Sequence, residues 1–186
     1  MAISEDCCAR DMDLKKSMRF GLDECLVALR ESYADLPDDA FHRFALEGHM
    51  NVATLVVHCL QQHDDFNGSL QYKRGIPGKL REWHFLEPEE RFGLWGLPQD
   101  KLPKPGQAFP SVPDVLAVHD EVHRHLLDNV DALSEDDFVT TPAGRWPRLC
   151  DKFFRAIYHT NAHVRQIWFL RGRMGVDTGW PVQHYA

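Results

Sequence analysis

Four stretches of this chain repeat their apolar side chains at three- and four-residue intervals, a period that a helix satisfies and a pleated strand does not. From Asp13, read as an N-cap, Leu14, Met18, Leu22, Cys25, Leu26 and Leu29 trace a first amphipathic helix ending near Pro37. Asn51 caps a second, which runs through Val52, Leu55, Val56, Cys59 and Phe66 to about Tyr72. Ser111-Val112-Pro113-Asp114 gives a third its cap and first-turn proline, and Val115, Val118, Val122, Leu126, Val130 and Leu133 form its stripe. The fourth spans about Pro147 to Met174, with Gly175 as its stop. Leu149, Phe153, Ala156, Ile157, Ile167, Trp168 and Leu170 make this last helix apolar around most of its circumference, so it is predicted to be buried on several sides. No internal repeat, low-complexity tract or hairpin signal competes, and the expectation is an all-α fold. With 186 residues, 44% of them apolar, the economical solution is one domain over 1–186 whose four helices bury their stripes against each other.

What lies between the stripes differs in character. Residues 74–110 are punctuated by eleven glycines and prolines, from Gly75 to Pro110, which predicts an irregular loop with at most short helical turns. So long a connection inside a compact domain is usually a lid or binding loop, and this one carries Trp83, His84, Phe85, Phe92 and Trp95. The first twelve residues are expected to be frayed, Cys7 and Cys8 among them.

Charge and cysteine usage narrow the partners. Twenty-one basic against 28 acidic residues give a net charge of −7, which offers phosphates no general attraction, so neither nucleic acid nor an anionic membrane is an expected partner. The N-terminus lacks the basic and apolar regions of a secretory signal, and the longest nearly apolar run, Val52 to Leu60, falls far short of the roughly 20 residues a spanning helix needs. Five scattered cysteines without C-x-x-C spacing suit free thiols in a reducing compartment, and a cytoplasmic location is expected.

The histidines carry the chemistry. His159 and His163 are one turn apart on the fourth helix, within about 40° of each other, on a face shared with Ala156, Gln166, Ile167 and Leu170, so both rings are predicted to point inward. Two neighbouring buried imidazoles repel when protonated and need partners when neutral, and a shared divalent cation resolves both demands. The bland alternative places one ring at a polar gap and the other in solvent. H-E-x-x-H protease chemistry is not indicated, since Thr160 stands where that motif has its glutamate.

A third ligand has to come from another helix, and His58 is the best candidate, set among Leu55, Val56, Val57 and Cys59. Asn51, Thr54, Gln62 and Asp65 flank it at helical spacing and read as the wall of a polar cavity, or else as a solvated face. His63 lies about 140° from His58 and is assigned to the surface. On the third helix His119 falls within the apolar stripe: a satisfied core histidine by default, a pocket-lining proton donor or fourth ligand otherwise. His123 and His125 are placed toward solvent, and His42, His49, His84 and His184 fall outside the periodic segments.

The Val56-Val57-His58-Cys59-Leu60 helix, preceded by Gly48-His49-Met50-Asn51 and followed late by His159-Thr160-Asn161-Ala162-His163-Val164-Arg165-Gln166-Ile167, resembles the DinB-like superfamily, also called YfiT-like. The resemblance extends from Leu14 to Gly175. It implies an up-down-down-up four-helix bundle in which His58, His159 and His163 converge on a divalent metal, frequently in a homodimer. Relatives in that family include thiol S-transferases using bacillithiol-like thiols and a mycothiol-dependent isomerase. The second connection of this chain is longer and richer in aromatic residues than the common pattern.

Three neutral imidazoles leave a +2 cation uncompensated with a coordination position open, as in catalytic rather than structural sites. Such a cation is a Lewis acid that lowers the pKa of a coordinated water or thiol, and imidazole suits Zn, Ni and Fe alike. The leading expectation is therefore a metal-dependent enzyme of thiol S-transferase or hydrolase type acting on a small molecule, with a low-molecular-weight thiol as co-substrate. Gln62, His119 and Gln166 are its candidate second-layer or acid–base residues. The alternative is a non-catalytic metal- or small-molecule-binding module, favoured by the lack of a visible carboxylate base beside the metal. A metal-free helical protein with polar core histidines is the third reading.

Overall fold

In the computed structural model, residues 13–46, 49–72, 86–93, 110–140 and 148–176 are described, the side chains of 68–72 and 140 excepted. Every regular element among them is a helix: α1 (Leu14–Glu31), α2 (Asp38–His42), α3 (Val52–Tyr72), α4 (Pro88–Phe92), α5 (Val112–Ala132), α6 (Glu135–Thr140) and α7 (Leu149–Arg173). The four periodic stretches are α1, α3, α5 and α7.

Their ends are set by the expected chemistry. The Asp13 carboxylate accepts from the Lys16 amide, and Asn51 Oδ1 accepts from both the amide and the hydroxyl of Thr54, at 2.9 and 2.8 Å. Ser111 and Asp114 close a reciprocal capping box at the start of α5. After α7 the chain turns at Gly175, whose φ of 68° is the left-handed conformation that glycine tolerates. The first helix is shorter than its periodicity suggested: it stops at Glu31, and residues 32–35 form turns before Pro37.

α1 packs between α5 and α7, and α3 packs against the same two helices. Named contacts fix the directions. α1 and α7 run parallel, since Gly21 meets Ile157 while Arg171 reaches the Ser32 carbonyl and the Asp35 carboxylate. A Cβ at position 21 would lie 2.9 Å from Ile157 Cδ1, so glycine permits this close approach. α5 runs against α1, with Lys15 and Arg19 at Asp131 and Arg30 at Asp120. α3 runs against α7, pairing His58 with His163 and Phe66 with Phe153.

The helix enclosed on most sides is α3, not α7. Between Val52 and Asn67 only His58, Gln61, Gln62 and Asp65 escape burial, whereas on α7 Phe154, Tyr158 and Phe169 are 55%, 69% and 59% exposed. His63, expected at the surface, is 1% exposed: α3 has neighbours on the side opposite His58, and its imidazole is 2.8 Å from the Thr160 hydroxyl on α7. Of the expected loop, residues 86–93 and 110 are described, with α4 in the first stretch and its Phe92 buried; Trp83, His84, Phe85 and Trp95 lie outside the described residues, as do Cys7, Cys8 and His184. Cys25, Cys59 and Cys150 are free and buried. No helix among the described residues is long and apolar enough to cross a membrane.

Candidate metal centre

The antiparallel crossing of α3 and α7 brings His58 to the His159 and His163 pair. Ring centroids lie 5.3 Å apart for His58 and His159, 5.4 Å for His58 and His163, and 4.4 Å for the two on α7. One nitrogen from each ring can be chosen so that all three lie within 4.8 Å of one another. Nitrogens at tetrahedral positions on one zinc, each about 2.0–2.1 Å from it, stand about 3.3–3.4 Å apart, so side-chain adjustments of up to about 1.5 Å bring the three rings to one ion. The rings are not deep in the core as expected. All three are half-buried, which leaves the centre open to a small molecule.

Hydrogen bonds show which nitrogens carry protons. His58 Nδ1 is 3.0 Å from Glu89 Oε1, and His163 Nδ1 is 2.7 Å from Gln166 Oε1. Both partners accept, so both Nδ1 atoms hold hydrogen and the Nε2 lone pairs face the centre. The Gln62 amide donates to His58 Nε2 at 3.1 Å and to His159 Nε2 at 3.3 Å. His159 Nε2 and His163 Nε2 stand 3.1 Å apart, and His159 Nδ1 has no partner: hydrogen on Nδ1 is left unbonded with two lone pairs facing each other, whereas hydrogen on Nε2 serves His163 but meets the Gln62 amide. A second proton on His159 or His163 is disfavoured at neutral pH. Burial first, then the charges of His163 and His58, push His159 down to about 4, and burial also lowers His163 against the raising effect of Gln166. A cation takes all three converging nitrogens of neutral rings at once, where a shared proton serves only two.

Glu89 is the residue that reading the sequence missed, and it corrects the expectation that no carboxylate stands beside the histidines. It is presented by α4, whose entry is tied to α3. The buried Asp64 carboxylate accepts from the amides of Leu86, at 3.0 and 3.2 Å, and Glu87, at 2.9 Å, while Gln61 Oε1 accepts from the Glu89 amide at 3.1 Å. Glu87 itself sits at φ 46°, ψ 55°, a left-handed conformation that costs a glutamate about 1–2 kcal/mol and that these bonds hold in place. The available signal was local: Pro88 followed by Glu89 and Glu90 is a helix start with proline in its first turn and acidic side chains at its positive end.

The other candidates separate. Gln62 and Gln166 touch the histidines. His119 is fully buried on α5 with Nδ1 3.0 Å from the Tyr33 hydroxyl, the core role assigned by default, and none of its hydrogen bonds reaches the triad. Asn51 and Thr54 are bonded to each other and Asp65 to Gln61, so of the polar residues flanking His58 only Gln62 faces the centre. His123, expected in solvent, binds Asp23 of α1 at 2.8 Å, and His42, in α2, binds the Pro110 carbonyl at 2.7 Å.

A sequence model of the DinB superfamily matches residues 22–167, a span that contains all three histidines. No curated protein and no solved structure gives a significant match.

Proposed function

The chain belongs to the DinB superfamily, and from that premise we propose that it is a metal-dependent enzyme of thiol S-transferase or hydrolase type acting on a small molecule. His58, His159 and His163 hold a divalent cation, Zn, Ni or Fe, within an up-down-down-up four-helix bundle, a reading supported by the helix directions described above. The observation that carries it is the convergence of one nitrogen from each of three half-buried imidazoles, on two helices, to within 4.8 Å of one another. When bound, such a cation supplies Lewis acidity at a position left open, enough to activate a thiol or a water near neutral pH. The chain's own residues do the rest. Glu89 and Gln166 accept from His58 and His163 and fix their tautomers, and Gln62 offers amide hydrogens at the mouth to a ligand oxygen or sulfur. Glu89 positions His58 from its Nδ1 side and is not a base at the open position, so the reaction assay is what separates the enzyme from the non-catalytic module.

Metal analysis of purified protein tests the ligand set. Wild type is expected to retain close to one equivalent of divalent metal and His58→Ala, His159→Ala and His163→Ala to lose it; full retention in all three variants removes the proposal. Thiol donors paired with electrophilic acceptors, assayed on the metal-loaded protein, then test the reaction class, and inactivity with every metal would favour the module.

We also propose a cytoplasmic homodimer built from single-domain chains. Support for the dimer comes from Phe154 and Tyr158, exposed on α7 to either side of Ile157, and Phe20, exposed on α1 next to Gly21 at the same crossing. Sedimentation is expected to give twice the 21.5 kDa of one chain, and Tyr158→Glu with Phe154→Glu to return it to one. A wild-type monomer at micromolar concentration would exclude this.

A further inference from the structure

We propose that a pocket one helical turn from the triad is the subsite for a compact apolar group of the substrate, whose polar end reaches the cation; this deepens the metal-enzyme reading and rests on it. The pocket holds about 260 Å³ and is lined by Leu46, Met50, Leu55, Phe169, Leu170 and Gln166. Its remaining lining residue is the exposed His49.

Position ties this pocket to the metal centre. Leu55 precedes His58 by three residues on α3, and Gln166 and Leu170 follow His163 by three and seven on α7, so the same crossing that joins the rings continues into the pocket. One turn is about 5.4 Å. Gln166 belongs to both places, since it lines the pocket while its Oε1 accepts from His163 Nδ1. A ligand seated on the leucines therefore lies about one turn along the crossing from His58 and His163, beside the Gln166 that holds His163.

Chemistry and size define the occupant. Among the described residues neither lysine nor arginine lines the pocket, so a phosphate or carboxylate meets no permanent positive charge there. Its volume lies below the roughly 300–1,000 Å³ of sites for drug-sized ligands, which fits one ring or a short alkyl chain and excludes a nucleotide. Met50 gives the wall an adaptable side, and Phe169, 59% exposed, stands as an apolar flap at the rim. The substrate class that follows is an uncharged alkyl or aryl group, about a ring in size, joined to a polar function that binds or reacts at the metal.

Alkyl hydroxamates of increasing length, from acetyl through butanoyl to hexanoyl, titrated calorimetrically into zinc-loaded protein, read the pocket through the chelating head. Affinity is expected to rise about fourfold per methylene until the pocket is filled. In Phe169→Ser and Met50→Ser, acetohydroxamate should bind as in wild type while the gain drops below about twofold per methylene. A flat series in wild type, or a rising one that both variants leave unchanged, overturns the proposal. Should zinc not bind at all, the metal reading fails separately, and neutral alkanamides titrated into zinc-free protein decide on the pocket alone: length dependence lost in the variants sustains it, and a flat series overturns it. Length-dependent amides beside flat hydroxamates on zinc-loaded protein would disconnect pocket from cation and overturn the proposal as well.

Discussion

A carboxylate 3.0 Å from His58 Nδ1 decides how that ring meets a cation, because an acceptor there keeps hydrogen on Nδ1 and makes Nε2 the better electron donor. Groups placed this way typically change metal affinity by about 10–100-fold when removed. Glu89→Ala is therefore expected to weaken zinc binding by about that factor, and Glu89→Gln, which keeps an acceptor oxygen but not the charge, to fall between it and wild type. Competition with a chromophoric chelator measures this, and three indistinguishable affinities would show that Glu89 has no hold on the ligand. At this scale the sequence was legible where partners are close along the chain. His159 and His163 are read directly from helical spacing, and so is Gln166, three residues further on. His58 needed the additional inference that a second helix faces the first. Glu89 was illegible because its contact with a residue 31 positions away depends on how the intervening chain returns to α3.

α3 shows why polarity misleads as a sign of exposure. Its polar side chains are spent on neighbouring elements: Asn51 on the His42 carbonyl of α2, Gln61 and Asp64 on the start of α4, His63 on Thr160 of α7, and Asn67 on Asn129 of α5. A helix with partners on most sides uses hydrogen bonds where a two-sided helix would meet water, so the period of its apolar residues understates its burial. The reverse error arose on α7, where Ala156, Ile157 and Trp168 of the expected buried arc are only half-buried and Phe154, Tyr158 and Phe169 stand exposed. Helices α1 and α5 were legible from stripe and caps together, because each keeps a solvated side. Asp64 gives the element-scale prediction. Asp64→Ala removes the charged acceptor of the Leu86 and Glu87 amides at a partly exposed turn, where water replaces it in part, at a cost of about 1–2 kcal/mol. Faster hydrogen exchange confined to residues 86–92, together with weaker zinc binding through a displaced Glu89, is the expected result. Unchanged exchange there would mean that α4 is held by the packing of Phe92 and the Gln61 bond to the Glu89 amide without help from Asp64.

Across the whole molecule, two more imidazoles are enclosed between the long helices, His63 on α3 and His119 on α5, both essentially without solvent contact. Each has one ring nitrogen bonded, to Thr160 or Tyr33, and the other, His63 Nδ1 or His119 Nε2, without a hydrogen-bond partner. Burial is the main reason that both are hard to protonate, with nearby histidines adding to it: His63 is pushed down to about 4 and His119 to about 3. The unfolded chain protonates the same groups near 6.5. Above that value neither state takes the proton and the two groups leave stability unchanged. As the pH falls through 6.5 the unfolded state gains protons that the folded state refuses, so stability drops until the folded values are reached. By pH 5 the loss is about 2 kcal/mol for each group, a large fraction of what holds a domain together. Urea unfolding of chelator-treated protein at pH 7.5 and pH 5 measures the difference, and chelation keeps metal release from the triad out of it. In His63→Gln and His119→Gln, where an amide replaces the titrating ring, the difference between the two pH values should shrink by about 2 kcal/mol each. If both variants lose as much stability as wild type over that interval, the buried rings are not what makes the fold acid-sensitive.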